Sequence, residues 1–254
     1  MSLLEVKELT KHFGGLAAVS DVDLDINEGE IRGLIGPNGA GKSTFFNLVS
    51  GFYKPTRGTV TFKGENITGL RPDVISGKGL VRTFQATILF QQMTVIDNVL
   101  AGLHLRANVG LVGGIIGSPR TRKKTKWAIE QAAEIVDFIG LGALKTELAG
   151  SLPHGNQRQL GVAVALAANP KMLMLDEPVT GMNAEEKDSM MGIVKRIRKE
   201  RGVTVLLVEH DMRAVMGTCE RITVMDFGKK IAEGSPKEIQ QNPQVIEAYL
   251  GAER

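Results

Sequence analysis

Residues 36–44 read Gly36-Pro37-Asn38-Gly39-Ala40-Gly41-Lys42-Ser43-Thr44, a glycine followed after four residues by Gly-Lys-Ser. That spacing fits a loop built to hold a row of phosphates. Polyphosphate carries dense negative charge and needs many donors at short range. Glycines let main-chain amides curl inward, and a helix that starts straight after the loop turns its positive end toward the same point. Lys42 adds a point charge for the β- and γ-phosphates, and the Ser43 hydroxyl suits Mg2+. Both flanks agree: Ile31 to Ile35 is a short apolar strand entering the loop, and Ser43 to Val49 has helical spacing beyond it. A glycine-rich turn with a chance lysine would not need those flanks.

Such a loop serves kinases, GTPases and motors alike, so a second element is needed. Met172-Leu173-Met174-Leu175-Asp176-Glu177-Pro178 supplies it, as a strand with two adjacent carboxylates at its carboxyl end, where α/β sheets bind ligands. Asp176 is placed to orient Mg2+, which leaves Glu177 to polarise a water in line with the γ-phosphate. The rival reading is a pair of acids capping a helix beyond a core strand.

Further out, Val22, Leu24 and Ile26 alternate with Asp21, Asp23 and Asp25, a period of two that predicts a strand with one wet face, and Val60 and Phe62 repeat it. Met172 to Leu175 and Val203 to Val208 have no wet face, as parallel strands covered on both sides require. From about Leu89 to Gly150 the pattern turns helical, with Val95, Val99 and Leu103 in register and an amphipathic helix predicted over Ala128 to Leu144. Ile222 to Met225 and Lys230 to Ala232 flank Asp226-Phe227-Gly228-Lys229 as a hairpin, and Pro236 to Leu250 closes the chain as helix. The expected fold is α/β: a P-loop core with a parallel sheet, an antiparallel β subdomain and a helical insertion. The boundaries expected are 1–88 and 155–234 for the core, 89–154 for the helical part and 235–254 for the tail.

Composition sets limits. With 254 residues, 43% hydrophobic, the chain can bury a proper core. Apolar runs such as Leu160 to Ala168 fall short of the roughly 18 residues of a membrane span. The start, MSLLEVKELTKHFGG, lacks a signal-peptide core, so a cytosolic protein is expected. A single cysteine, Cys219, forms no internal disulfide, and a net charge of +3 gives no argument for nucleic acid. Arg120, Arg122, Lys123, Lys124 and Lys126 form a basic run that reads as a solvated helix start or a contact for anionic headgroups.

Taken in order, these motifs resemble the ATP-binding subunits of ABC transporters over nearly the whole chain, which implies ATP and Mg2+ as ligands. Thr83-Phe84-Gln85 follows a short strand as the family's Q-loop does, so Gln85 is expected to contact Mg2+ or the attacking water. His210 stands where the family has its switch histidine, facing the γ-phosphate; the rival is a residue ending a strand between Glu209 and Asp211. Phe13 stands where relatives stack an aromatic on adenine, though a lone aromatic after a strand also serves as core. Thr180-Gly181-Met182-Asn183 falls at the D-loop, with Asn183 where many members carry aspartate.

Leu152-Pro153-His154-Gly155-Asn156-Gln157 occupies the place of the family's leucine-serine-glycine-glycine-glutamine signature, which closes over the ATP bound to a second subunit. Gly155 and the helix from about Asn156 remain, with Leu160, Val164 and Ala167 on one face. Pro153 replaces the serine and has neither hydroxyl nor amide proton, and Asn156 replaces the glutamine. Either main-chain amide and helix dipole carry the contact, at a loss of about 1–3 kcal/mol for one charged hydrogen bond, or this signature is the weaker half of an unequal pair.

The finer resemblance is to the larger ATP-binding subunit of branched-chain amino acid importers, through RTFQ, GMN after the acid pair and the tail IAEGSPKEIQQNPQVIEAYLG. It implies a second ATP-binding subunit in a homo- or heterodimer, membrane permeases gripped by the segment Gln85 to Asn98, indirectly an extracytoplasmic binding protein, and a peripheral place on the cytoplasmic face of the membrane. No nucleic acid is expected. The rivals are a soluble ABC-type ATPase without a permease and a nucleotide sensor with a weakened site.

Overall fold

In the computed structural model, residues 2–83, 89–103 and 119–250 are described. Gln85 and its expected metal contact lie outside them. The chain divides into two compact units, Met1–Arg82 with Lys171–Glu177 and Met191–Arg254, and Thr83–Pro170 with Pro178–Met190.

The elements run β1 (Ser2–Phe13), β2 (Leu16–Asn27), β3 (Ile31–Ile35), α1 (Lys42–Val49), β4 (Arg57–Phe62), β5 (Glu65–Asn66), α2 (Pro72–Gly77), β6 (Leu80–Arg82), α3 (Val95–Gly102), α4 (Pro119–Phe138), α5 (His154–Ala167), β7 (Met172–Asp176), α6 (Ala184–Arg201), β8 (Thr204–Val208), α7 (Met212–Thr218), β9 (Arg221–Asp226), β10 (Lys229–Gly234), α8 (Pro236–Gln241) and α9 (Pro243–Leu250).

The first unit holds two sheets, one ordered β2-β1-β4-β5 and antiparallel, the other ordered β10-β9-β3-β8-β7-β6. In the second sheet β6, β7, β8, β3 and β9 run parallel, and β10 returns antiparallel at the edge. Every residue of β3, β7 and β8 is buried, which is why these strands show no polar alternation. In β2 the alternation holds as predicted, with Asp21, Asp23 and Asp25 exposed and Val22, Leu24 and Ile26 buried. Helix α1 gives Phe45, Phe46, Leu48 and Val49 to one apolar cluster shared with Leu4, Leu24 and Val60 of the first sheet and Leu34, Met174 and Leu206 of the second. Each such side chain contributes about 1.5–3 kcal/mol by leaving water, so the helix that follows the glycine loop is held from two sides.

One buried cation belongs to this scaffold. Arg32 on β3 is fully buried and donates to Glu30 Oε1 at 2.6 Å, Glu233 Oε1 at 2.9 Å, Thr223 Oγ1 at 3.1 Å and the Asp25 carbonyl at 2.7 Å. The β9–β10 hairpin turns on Phe227 and Gly228 with φ of 42° and 77°, the left-handed pair that a two-residue turn needs. Its tip is sewn to its neighbours, since Gly228 donates its N–H to the Ala40 carbonyl at 3.0 Å and accepts from Ser20 N at 2.8 Å.

In the second unit α3 is capped by Thr94, whose hydroxyl accepts from Asp97 N at 3.2 Å. Gly102 lies so close to α5 that a Cβ there would stand 2.6 Å from the Val164 carbonyl. Two expectations change. Helix α4 ends at Phe138 instead of continuing to Leu144, because Gly140 takes φ +85° and Leu141 N donates back to the Val136 carbonyl at 3.0 Å, which closes the last turn. The boundary placed at 154/155 also moves, since α5 and the segment Pro178–Met190 belong to the helical unit while the C-terminal helices belong to the core unit.

Candidate functional site

The loop between β3 and α1 is shaped by glycine where other residues cannot go. Gly36 has φ +152°, and a Cβ on it would overlap the Met225 carbonyl. Gly41 has φ +94°, and a Cβ there would strike the Ala18 carbonyl. Gly41 is the N-cap of α1, so the first amides of that helix, from Lys42, Ser43 and Thr44, open at the loop without partners inside the helix. Lys42 is buried, and its Nζ donates to the carbonyls of Gly36 at 2.7 Å and Pro37 at 3.0 Å, drawing the ammonium into the curl of the loop. Burial pushes the Lys42 pKa down, and the Glu177 carboxylate partly offsets this. Asn38 and Gly39 are exposed at the rim, and Ala40 is buried beneath it.

Strand β7 delivers the acid pair. Asp176 is almost dry, and its pKa is pushed up by burial against the pull of Arg82, whose Nη2 donates to Asp176 Oδ2 at 2.7 Å. Glu177 leaves the strand with φ +47°, a left-handed conformation that a side-chain-bearing residue adopts only when its surroundings impose it. At that point its main chain still bonds the next strand, Glu177 N donating to the Val208 carbonyl at 2.9 Å. This brings Glu177 Oε1 within 3.8 Å of His210 Nδ1. His210 is exposed, and its main-chain N–H donates at 3.1 Å to Glu209, whose side chain is fully buried. Asp211, next in the chain, accepts from Ala214 N at 3.0 Å to start α7.

Phe13 is not core. It is 44% exposed and meets Tyr53 edge-on at 5.4 Å, with Lys11 Nζ 5.1 Å from its ring centre. In the second unit Gly155 sits in the first turn of α5, which begins at His154 with Pro153 as a cap that makes no side-chain hydrogen bond. Glu186 lies beneath Gly155 and accepts from Asn183 N at 2.9 Å, while Asn183 Oδ1 accepts from Glu186 N at 3.0 Å. Asn183 thus fills a reciprocal cap at the head of α6.

The structure brings the loop residues Gly36 to Thr44, Asp176, Glu177 and His210 into one unit and places Gly155 in the other. Near the acid pair, sequence reasoning passed over the largely covered Arg82 and the buried Glu209. Arg82 stood within the quoted RTFQ, and its one signal was a charge ending an otherwise apolar strand.

Fold and cradle together define a P-loop nucleoside triphosphatase. The comparisons with known proteins narrow that class. A family model described as ABC transporter matches residues 19–180, and one described as branched-chain amino acid ATP-binding cassette transporter matches residues 229–254. The chain is 43% identical over 98% of both chains to the high-affinity branched-chain amino acid transport ATP-binding protein BraF of Pseudomonas aeruginosa. A nucleotide-free ATP-binding cassette from an ABC transporter superimposes with a TM-score of 0.84 at 32% identity, covering 98% of this chain and 99% of that one. A dimeric cassette in a post-hydrolysis state with ADP and Pi matches with a TM-score of 0.77 at 26% identity, covering 92% of this chain and 98% of that one. The chain belongs to the ATP-binding family of ABC transporters and is an ATPase.

Proposed function

We propose that this chain is the ATP-binding subunit of an importer for branched-chain or related amino acids, working as one of two such subunits beneath membrane permeases. The observation that carries the reading is an intact cradle and acid pair joined to a C-terminal segment, residues 229–254, that matches the branched-chain family model. Among the described residues no helix is long and apolar enough to cross a membrane. Attachment to the cytoplasmic face would therefore come through the permeases, and substrate choice through them and an extracytoplasmic binding protein.

In this reading the amides of Gly39 to Thr44 and the Lys42 ammonium hold the β- and γ-phosphates, exchanging the two carbonyl contacts of Lys42 for phosphate oxygens. Phe13, exposed and braced by Tyr53, offers its ring to adenine. The donor set fits Mg2+, with the Ser43 hydroxyl at the mouth of α1 and Asp176 at the end of β7 as oxygen ligands, and Gln85 as a third candidate. When bound, Mg2+ supplies charge neutralisation on the β- and γ-oxygens. Glu177, tied at the end of β7 by its main-chain bond to Val208, accepts a proton from the attacking water. His210, 3.8 Å from Glu177, supports the γ-phosphate as a neutral or shared-proton donor. Gly155 and the N-terminus of α5 close the partner subunit's nucleotide, so that ATP binding drives association and hydrolysis releases it.

The test is Glu177→Gln with ATP and Mg2+, followed by size-exclusion chromatography, alone and with a candidate partner subunit. An ATP-dependent dimer that ADP does not support is expected. No association under any pairing would favour the nucleotide-sensor reading. Native purification that recovers no membrane permease would favour the soluble ATPase.

A further inference from the structure

Arg82 has no part in the mechanism above, yet its guanidinium is among the most elaborately held groups of the first unit. Nη2 donates to Asp176 Oδ2 at 2.7 Å. Nη1 donates to Asn47 Oδ1 at 2.5 Å and Ser50 Oγ at 3.2 Å. Two rings stand close to it, with Cζ 4.9 Å from the centre of Phe46 and 5.4 Å from that of Phe52. The ion pair is nearly dry, its side chains 11% and 8% exposed.

These contacts have a direction. Phe46 and Asn47 lie on α1 and Ser50 at its end, and α1 is the helix whose first turn carries Ser43. Asp176 lies on β7, which pairs directly with β6, the strand that Arg82 ends. One planar cation therefore spans the helix bearing Ser43 and the strand bearing Asp176, the two side chains assigned above to Mg2+. A guanidinium suits this place better than an ammonium, because its fork bonds in several fixed directions at once and its face stacks on rings. A nearly dry carboxylate without a counter-cation is costly to keep, and it would turn toward whatever donor it could reach.

We propose that Arg82 is a positioning residue for the metal site: it fixes Asp176 against α1, so that the spacing between Asp176 and Ser43 is set before the cation arrives. The inference rests on the reading of Asp176 and Ser43 as the Mg2+ pair.

The experiment uses Mn2+ as the probe, on the full chain loaded with ADP so that no turnover intervenes. Free Mn2+ is followed by electron paramagnetic resonance, and ADP affinity is measured separately in EDTA. R82Q is expected to weaken Mn2+ binding about tenfold, with R82K recovering part of it, while ADP affinity in EDTA stays within about twofold. N47A, which removes one anchor on α1 and leaves the Arg82–Asp176 pair in place, is expected to weaken Mn2+ by a smaller factor, and it keeps the test open should R82Q fail to fold. Unchanged Mn2+ affinity in R82Q and N47A would overturn the proposal, as would unchanged affinity in N47A alone should R82Q fail to fold. So would a loss of metal-free ADP affinity by the same factor, which would make Arg82 a general support of the loop. If D176N leaves Mn2+ affinity at the parent value, the assignment of the metal pair has failed instead, and the proposal falls with it.

Discussion

The phosphate loop and the mouth of α5 are two helix starts built from different materials. At residues 36–44 main-chain amides act together with the buried Lys42 ammonium, and side chains at Gly36 and Gly41 are excluded by neighbouring carbonyls. At residues 153–155 the helix end remains, but the hydroxyl expected beside it is gone and Pro153 caps α5 with no side-chain bond.

Breaking the loop half should have the largest effect. Lys42→Ala removes the buried cation, and ATP affinity measured by titration calorimetry should fall by about two orders of magnitude, the scale of two charged hydrogen bonds. Glu177→Gln should lower turnover by about 10^2 to 10^4-fold in a phosphate-release assay while leaving ATP affinity near its parent value. Equal loss of both would show that Glu177 binds nucleotide instead of acting on water.

The mouth half is sharpened by giving back what it lacks. Pro153→Ser should strengthen ATP-dependent association by up to about tenfold and stabilise α5 by about 1 kcal/mol as a hydroxyl cap, read by analytical ultracentrifugation and thermal melting. A weaker pair would show that Pro153 is matched to an unequal partner. Gly155→Ala should cost about 1 kcal/mol, a fall of roughly 2–4 °C in melting temperature, because the new methyl displaces Glu186 from the Asn183 cap. The smallest effect belongs to Cys219. Burial pushes its thiol up to about 12, so at pH 8 the folded chain should hold about one thiolate in 10^4 and resist aromatic disulfide reagents for as long as it stays folded.

What the sequence disclosed follows the same division. Spacing rules bear on main chain, so the loop, the buried strands β7 and β8 and the β9–β10 hairpin were legible from residue types alone. Side-chain meetings between distant strands were not. Nothing in the pattern of Leu80 to Arg82 says that the arginine lands on Asp176, because the pairing of β6 with β7 joins segments about 90 residues apart. The end of α4 was misplaced for a local reason, as the apolar period continues through Leu141 and Leu144 while Gly140 turns the backbone away. His210 was open between two roles on sequence, and its 3.8 Å approach to Glu177 joins two strand ends that no spacing rule connects.

The contact between Gly155 and Glu186 also bears on how such chains can drift. Carboxylate and glycine occupy each other's room, and the carboxylate is simultaneously tied to Asn183. A homologue that acquires a bulkier residue at the first position should therefore shorten the second, and one that shortens the second must find another way to begin helix α6. Positions 155, 183 and 186 ought to be inherited as a set, whatever the cargo of the transporter that carries them.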